Sequence, residues 1–151
     1  MEKHTIKKEI EIDNSVSQVW KVLQSPEYIG QWQNEFCEGS QVEADWNVGG
    51  TVLYTDQAGN GLKGQVIVNE PNRFLKVEIV GNLKADIDNH NNSHPENWWI
   101  GCSDAYLLSE KDGHTTLSIE SEVPSKKYFD EFLLSWDKAL RKIKELAENV
   151  Q

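Results

Sequence analysis

Apolar positions along the chain switch from a period of two to helical spacing and back, and the switches divide it into elements. Residues 4–12, HTIKKEIEI, place Ile6, Ile10 and Ile12 on one parity, which predicts a half-buried strand. Asp13 and Asn14 break the alternation. Ser15 stands as an N-cap for SVSQVWKVLQ, where Val16, Val19, Trp20 and Leu23 fall on one helical face. Ser25-Pro26 ends that helix, because a residue before proline avoids the α region. Pro26 opens a second short turn of helix, PEYIGQW, which ends near Trp32.

Residues 33–48 are irregular apart from a short strand predicted at 41–44. Gly49-Gly50 marks a tight turn or a close backbone approach. Three strands follow: TVLYTD (51–56), LKGQVIVNE (62–70) and RFLKVEIVG (73–81). In the second, Leu62, Val66 and Val68 are expected on one face; in the third, Leu75, Val77 and Ile79 are. Turns QAGNG (57–61) and Pro71-Asn72 are short, which favours antiparallel pairing. Residues 82–97, rich in Asn, Asp and His, predict a long polar loop. WWIGCSDAYLLSE (98–110) and TTLSIESEV (115–123) read as a last strand pair.

Pro124-Ser125 opens a helix predicted to run to Asn149. Phe129, Phe132, Leu133, Trp136, Leu140, Ile143 and Ala147 line one face, and Lys126, Asp130, Asp137, Lys138, Arg141, Lys142 and Glu145 the other. Asp137 precedes Arg141 by four residues, a weakly stabilising pair. At about 1.5 Å per residue this helix is roughly 37 Å long, enough to span the concave face of a sheet. Strands in a run with helices at the ends define an α+β class.

Composition narrows the picture. At 151 residues the chain has the size of one domain, 1–151, and needs no disulfide or metal to fold. Six Trp predict a large core, a lined pocket or both. Fifteen basic against 25 acidic residues, a net charge of -10, repel phosphate backbones and anionic lipid headgroups. Nucleic acid and membrane are therefore not expected partners. Cys37 and Cys102 lie far apart in no metal-ligand pattern. No signal-like or membrane-length apolar run is present, so a reducing cytoplasm is expected. The sequon Asn91-Asn92-Ser93 then reads as chance.

The ordered set of segments resembles the SRPBCC (START-like) superfamily, and more closely the branch related to the activator of heat-shock protein 90 ATPase. The opening IEIDNSVSQVWKVLQSPEYIGQW, the entry VEADWNVGGTVLY, the hairpin AYLLSEKDGHTTLSIE and the long amphipathic C-terminal helix carry the likeness. Residues 82–97 and Gln33, where relatives frequently carry a second Trp, depart from the pattern. The resemblance implies a helix-grip fold: a curved antiparallel β-sheet wrapped around the C-terminal helix, with two short helices after the first strand.

A curved sheet cannot pack flush on a straight rod, so a ligand-sized cleft is expected between them. Strand parity, helical spacing and the turn nominate its wall: Trp32, Tyr54, Trp98, Cys102, Asp104, Tyr106, Phe129, Leu133 and Trp136. Plain core packing is the competing reading for each. Asp104 stands apart, because an inward carboxylate must be paired or protonated.

Three functions follow as expectations. One is noncatalytic binding of a small apolar or amphipathic molecule by a monomer or homodimer. Another, implied by the resemblance, is a chaperone-cofactor-like interaction module in a stress response. The last is a cyclase, hydrolase or isomerase using Asp104 and Tyr106. No cofactor is expected. Asp86, Asp88, His90, His94 and Glu96 suggest a metal, but Asn91 and Asn97 stand where a calcium loop needs Gly and Glu, so a solvated loop is the better reading.

Overall fold

The computed structural model describes residues 3–83 and 99–150. Strand β1 (His4–Ile12) leads into helices α1 (Val16–Gln24) and α2 (Pro26–Gln33). Six strands follow: β2 (Gln41–Ala44), β3 (Thr51–Thr55), β4 (Gly61–Glu70), β5 (Phe74–Leu83), β6 (Ser103–Lys111) and β7 (His114–Val123). Helix α3 (Lys126–Glu148) completes the order. The seven strands form one antiparallel, unclosed sheet in the order β1-β7-β6-β5-β4-β3-β2. This is the α+β class expected from the order of elements, in the helix-grip architecture that the resemblance implies.

Local chemistry explains the element ends. Ser25 closes α1, its N–H donating to Lys21 O, and also precedes Pro26 at the first position of α2. Ser15 has the extended N-cap conformation, but its side chain does not cap α1. The Val16 N–H donates instead to the Glu110 carboxylate of β6 at 2.8 Å. Ser125 caps α3 through its hydroxyl, which accepts from Tyr128 N–H at 3.3 Å.

Two register shifts bend the β4–β5 pair. One lies between Lys63 and Gly64, the other between Val66 and Val68. An extra residue in one strand turns the following side chains to the other face. Val66 pairs with Val77 inside, but Val68 pairs with Lys76, and Asn69 takes the place opposite Leu75. The expected single face of Leu62, Val66 and Val68 is therefore interrupted at Val68. The Asn69 amide donates to Trp46 O at 2.6 Å. β5 also runs on through Asn82 and Leu83, which were expected in a loop. β6 starts at Ser103 rather than at 98, after a turn in which Gly101 has φ +94. The histidine and carboxylate cluster at 86–96 and the sequon lie outside the described residues.

α3 changes character along its length. Its buried residues are Trp136, at mid-helix, and Ala139, Leu140, Ile143 and Ala147 in the C-terminal part. Small Ala139 and Ala147 allow close approach there. Tyr128, Phe129, Phe132 and Leu133, in the N-terminal part, are only partly buried. Polar ties anchor the C-terminal end. Asn14 Nδ2 donates to Ala147 O at 2.8 Å, Asp13 N to Glu148 Oε2 at 2.9 Å, and Lys144 Nζ to Glu11 O at 2.9 Å. Asp137 pairs with Lys8 of β1; Arg141 donates to the Asp137 backbone carbonyl, not to its carboxylate. Among the described elements, α3 packs on β1, α1, α2 and β7.

The buried face of α3 is tested by two truncations. Ile143→Ala, at a position with 0% exposure, is expected to cost about 2–5 kcal/mol in urea unfolding. Leu134→Ala, at 66% exposure, is expected to change stability by less than about 0.5 kcal/mol. Equal losses at the two sites would contradict this orientation.

Candidate functional site

A cavity of about 330 Å³ lies between the sheet and the N-terminal part of α3. Its aromatic wall comes from Phe36, Trp99, Phe132 and Trp136. Phe36 meets Trp136 edge-on at 4.8 Å between ring centroids, and Trp99 stacks on Phe132 at 5.6 Å. Such offset and edge contacts are the favourable ring geometries. Cys37 and Asn60 at the rim are exposed, so the cavity opens to solvent on that side.

The sheet supplies a polar floor. Asp104 of β6 sits directly opposite Ser121 of β7. The Ser121 hydroxyl donates to Asp104 Oδ1 at 2.6 Å. This is the only hydrogen bond of the Asp104 side chain among the described residues. The neighbouring Glu122 carboxylate accepts from Ser103 N at 2.9 Å and Ser103 Oγ at 3.0 Å. Lys3 Nζ stands 3.8 Å from Glu122 and donates to Gly101 O at 2.8 Å. Asp56 near the mouth is engaged by Ala58 N and Asn60 N, closing the β3–β4 turn.

Two glycines shape the wall around Tyr54. A Cβ on Gly61 would stand 1.7 Å from Tyr54 O, and one on Gly64 would stand 2.7 Å from Val77 Cγ1 and 3.5 Å from Tyr54 Cε2. Gly64 thus lies within β4 under the Tyr54 ring.

The buried groups titrate abnormally. Burial raises Asp104 from 3.8 to about 6; the Ser121 hydrogen bond opposes this and the Glu122 charge adds to it. Burial pushes the Cys102 thiol up to about 11, against the pull of Lys3 and with the push of Glu122 and Asp104. The phenols of Tyr54 and Tyr106 are raised by burial first and by the Asp104 charge second. The Cys102 thiol and both phenols are therefore protonated near neutrality.

The structure brings Tyr54, Cys102, Asp104 and Trp136 together on the cavity wall. Trp32 and Tyr106, 1% and 3% exposed, stand behind it as core. Trp32 was expected on the wall; its indole instead donates to Val22 O at 3.0 Å and its ring lies 6.4 Å from Trp136. Tyr106 meets Trp136 at 6.0 Å. Phe129 and Leu133 are also off the wall. Each residue turns a helix by about 100°, so 128 and 132 flank the apolar stripe on one side and 129 and 133 on the other. Tyr128 and Phe132 meet Trp99, whereas Phe129 meets His4 of β1 and lies under Lys126 Nζ. Trp98 lies outside the described residues.

Phe36, Trp99, Phe132, Ser121 and Glu122 are among the wall residues that escaped the sequence reading. Phe132 was legible as the position one turn before Trp136. Ser121 and Glu122 needed the β6–β7 register, and Phe36 sits in a segment with no period. Among the described residues no group of His, Cys, Asp and Glu is arranged to hold a metal ion, and no helix is long and apolar enough to cross a membrane.

A curved antiparallel sheet gripping a terminal helix over an aromatic cavity defines a helix-grip domain of the SRPBCC superfamily. Residues 13–148 match the Activator of Hsp90 ATPase homolog 1-like protein family, and the chain belongs to that family. No curated protein matches it in sequence. Among solved structures, protein MLL2253 from Mesorhizobium loti superposes with a TM-score of 0.75 at 17% identity, covering 98% of this chain and 99% of that one. CalU16 from Micromonospora echinospora gives 0.67 at 20%, over 97% of this chain and 78% of its own. The Aha1 dimer from Colwellia psychrerythraea gives 0.69 at 16%, over 97% of each chain. At these identities the likeness is one of fold.

Asp104 supplies a pH test. Its carboxylate is harder to ionise in the folded chain than in the unfolded one. It therefore costs stability above about pH 6 and nothing below about pH 4, where both states are protonated. Asp104→Asn keeps an acceptor for Ser121 and is expected to stabilise the protein by about 1–2 kcal/mol at pH 8, since cavity solvent screens part of the charge. The gain should fade toward pH 4. Urea unfolding of both proteins at each pH reads the difference; a loss of stability at pH 8 would contradict the assignment.

Proposed function

We propose that this chain is a noncatalytic, single-domain binding protein for a small, largely apolar or amphipathic molecule, held between the sheet and the N-terminal part of α3. The observation that carries the reading is the cavity of about 330 Å³ with an aromatic wall and a short polar floor. Ligand sites are typically concave, mostly apolar and furnished with a few polar groups. The free thiols of Cys37 and Cys102 agree with a reducing cytoplasm.

A catalytic reading draws on Asp104, whose value of about 6 suits a general base. It lacks a partner acid: the neighbouring phenols are pushed up, and neither makes a hydrogen bond to Asp104 among the described residues. A chaperone-cofactor role draws on membership of the family alone. The binding reading has the cavity behind it.

The test uses N-phenyl-1-naphthylamine, a neutral probe whose fluorescence rises in apolar surroundings. Saturable one-to-one binding and a higher Tm are expected, with affinity falling about tenfold in Phe132→Ala as ring contact is lost. Native mass spectrometry of freshly purified protein should retain a small molecule. No retained mass together with no saturable probe binding would sink the proposal; turnover of a bound compound would favour the enzyme instead.

A further inference from the structure

The cavity carries its own charge preference. Asp56, Asp104 and Glu122 line it, and no Lys, Arg or His does among the described residues. The three carboxylates are not equivalent. Asp56 is occupied by two backbone N–H groups of its turn. Glu122 has the Ser103 N–H and hydroxyl and the nearby Lys3 ammonium. Among the described residues Asp104 has one hydroxyl donor and no cation paired with it, and the Glu122 charge acts on it as a second anion.

Beside it stand two phenols. Tyr54 is on the wall and Tyr106, 3% exposed, lies behind it. Both feel the Asp104 charge, and neither hydroxyl makes a hydrogen bond among the described residues. Buried carboxylates normally have several partners, so Asp104, with one hydroxyl donor among the described residues, and the Tyr54 phenol on the wall form a polar spot that a guest can complete. Phenol and carboxylate oxygens are acceptors, and an ammonium group offers up to three donors. The rings of Phe36, Trp99, Phe132 and Trp136 present faces or edges to the same space, and aromatic faces attract cations.

Resting on the binding function proposed above, we infer that the cavity selects a protonated amine with an aromatic or aliphatic body, its ammonium seated on Asp104 beside Tyr54 and its body against Trp99 and Phe132. An anionic amphiphile such as a carboxylate is rejected by Asp104 and Glu122. The body supplies apolar burial; the ammonium supplies the counter-charge that Asp104 lacks among the described residues.

Three probes with one body separate these contributions: 2-(1-naphthyl)ethylamine, 2-(1-naphthyl)ethanol and 1-naphthylacetate, titrated calorimetrically at pH 7.5. The amine is expected to bind about tenfold or more tighter than the alcohol, as a charge-assisted hydrogen bond replaces a neutral one, and the carboxylate weakest of the three. In Asp104→Asn the preference for the amine should vanish while the alcohol keeps its affinity within about twofold. Glu122→Gln, which keeps an acceptor for Ser103, should retain the order amine, alcohol, carboxylate.

An alcohol that binds as well as the amine, or a carboxylate that binds best, would overturn the amine assignment and leave the binding function standing. So would an amine preference that survives Asp104→Asn, or binding of the neutral naphthylamine probe with none of the series. If neither the series nor that neutral probe saturates, the binding function itself fails.

Discussion

The structure turns on how α3 is held. Its C-terminal part is drawn down by Ala139, Ile143 and Ala147 and tied to the start of the chain through Asn14, Asp13 and Glu11. Its N-terminal part carries Tyr128, Phe129 and Phe132, which are too large for equally close approach. A rod fixed at one end over a bent sheet leaves space at the other. Trp136 marks the boundary, buried among Trp32 and Tyr106 on one side and facing the cavity on the other. The cavity is a consequence of where small and large residues fall along a single helix.

The sheet determines what that space can recognise. Antiparallel pairing sets Asp104 opposite Ser121 and brings Ser103 within reach of Glu122, so two carboxylates stand on the floor of a hollow whose opposite wall is aromatic. Burial makes ionising Asp104 costly, and Glu122 adds to that cost. Protein interiors tolerate such charges when something compensates them. The register shifts in β4–β5 contribute as well, because they change which side chains of these strands face inward. Membership of the Activator of Hsp90 ATPase homolog 1-like family accounts for the scaffold. A scaffold does not dictate a ligand, so function has to be argued from the floor and the wall.

Much of this could be read from the order of residues. Period-two alternation placed Tyr54, Cys102 and Asp104 on inward faces, because successive side chains in a strand point to opposite sides. Helical spacing placed Trp136 on the buried stripe of α3. Proline and glycine marked the helix boundary at Ser25-Pro26 and the turn at Gly49-Gly50. These are local consequences of backbone geometry and do not require knowing what lies opposite.

Long-range contact decided the rest. Whether a stripe residue meets the cavity or β1 depends on a rotation of about 100° per residue, which separated Phe132 from Phe129 and Leu133. Trp32 became core because Val22 O and Trp136 were waiting for it. Phe36 entered the wall from a segment without a period, and Ser121 met Asp104 only through the pairing of β6 with β7. Periodicity in one segment assigns a residue to a face. The identity of its neighbour is set by the packing of segments far apart in the chain, and for this protein that packing decides which inward residues surround a space and which fill it.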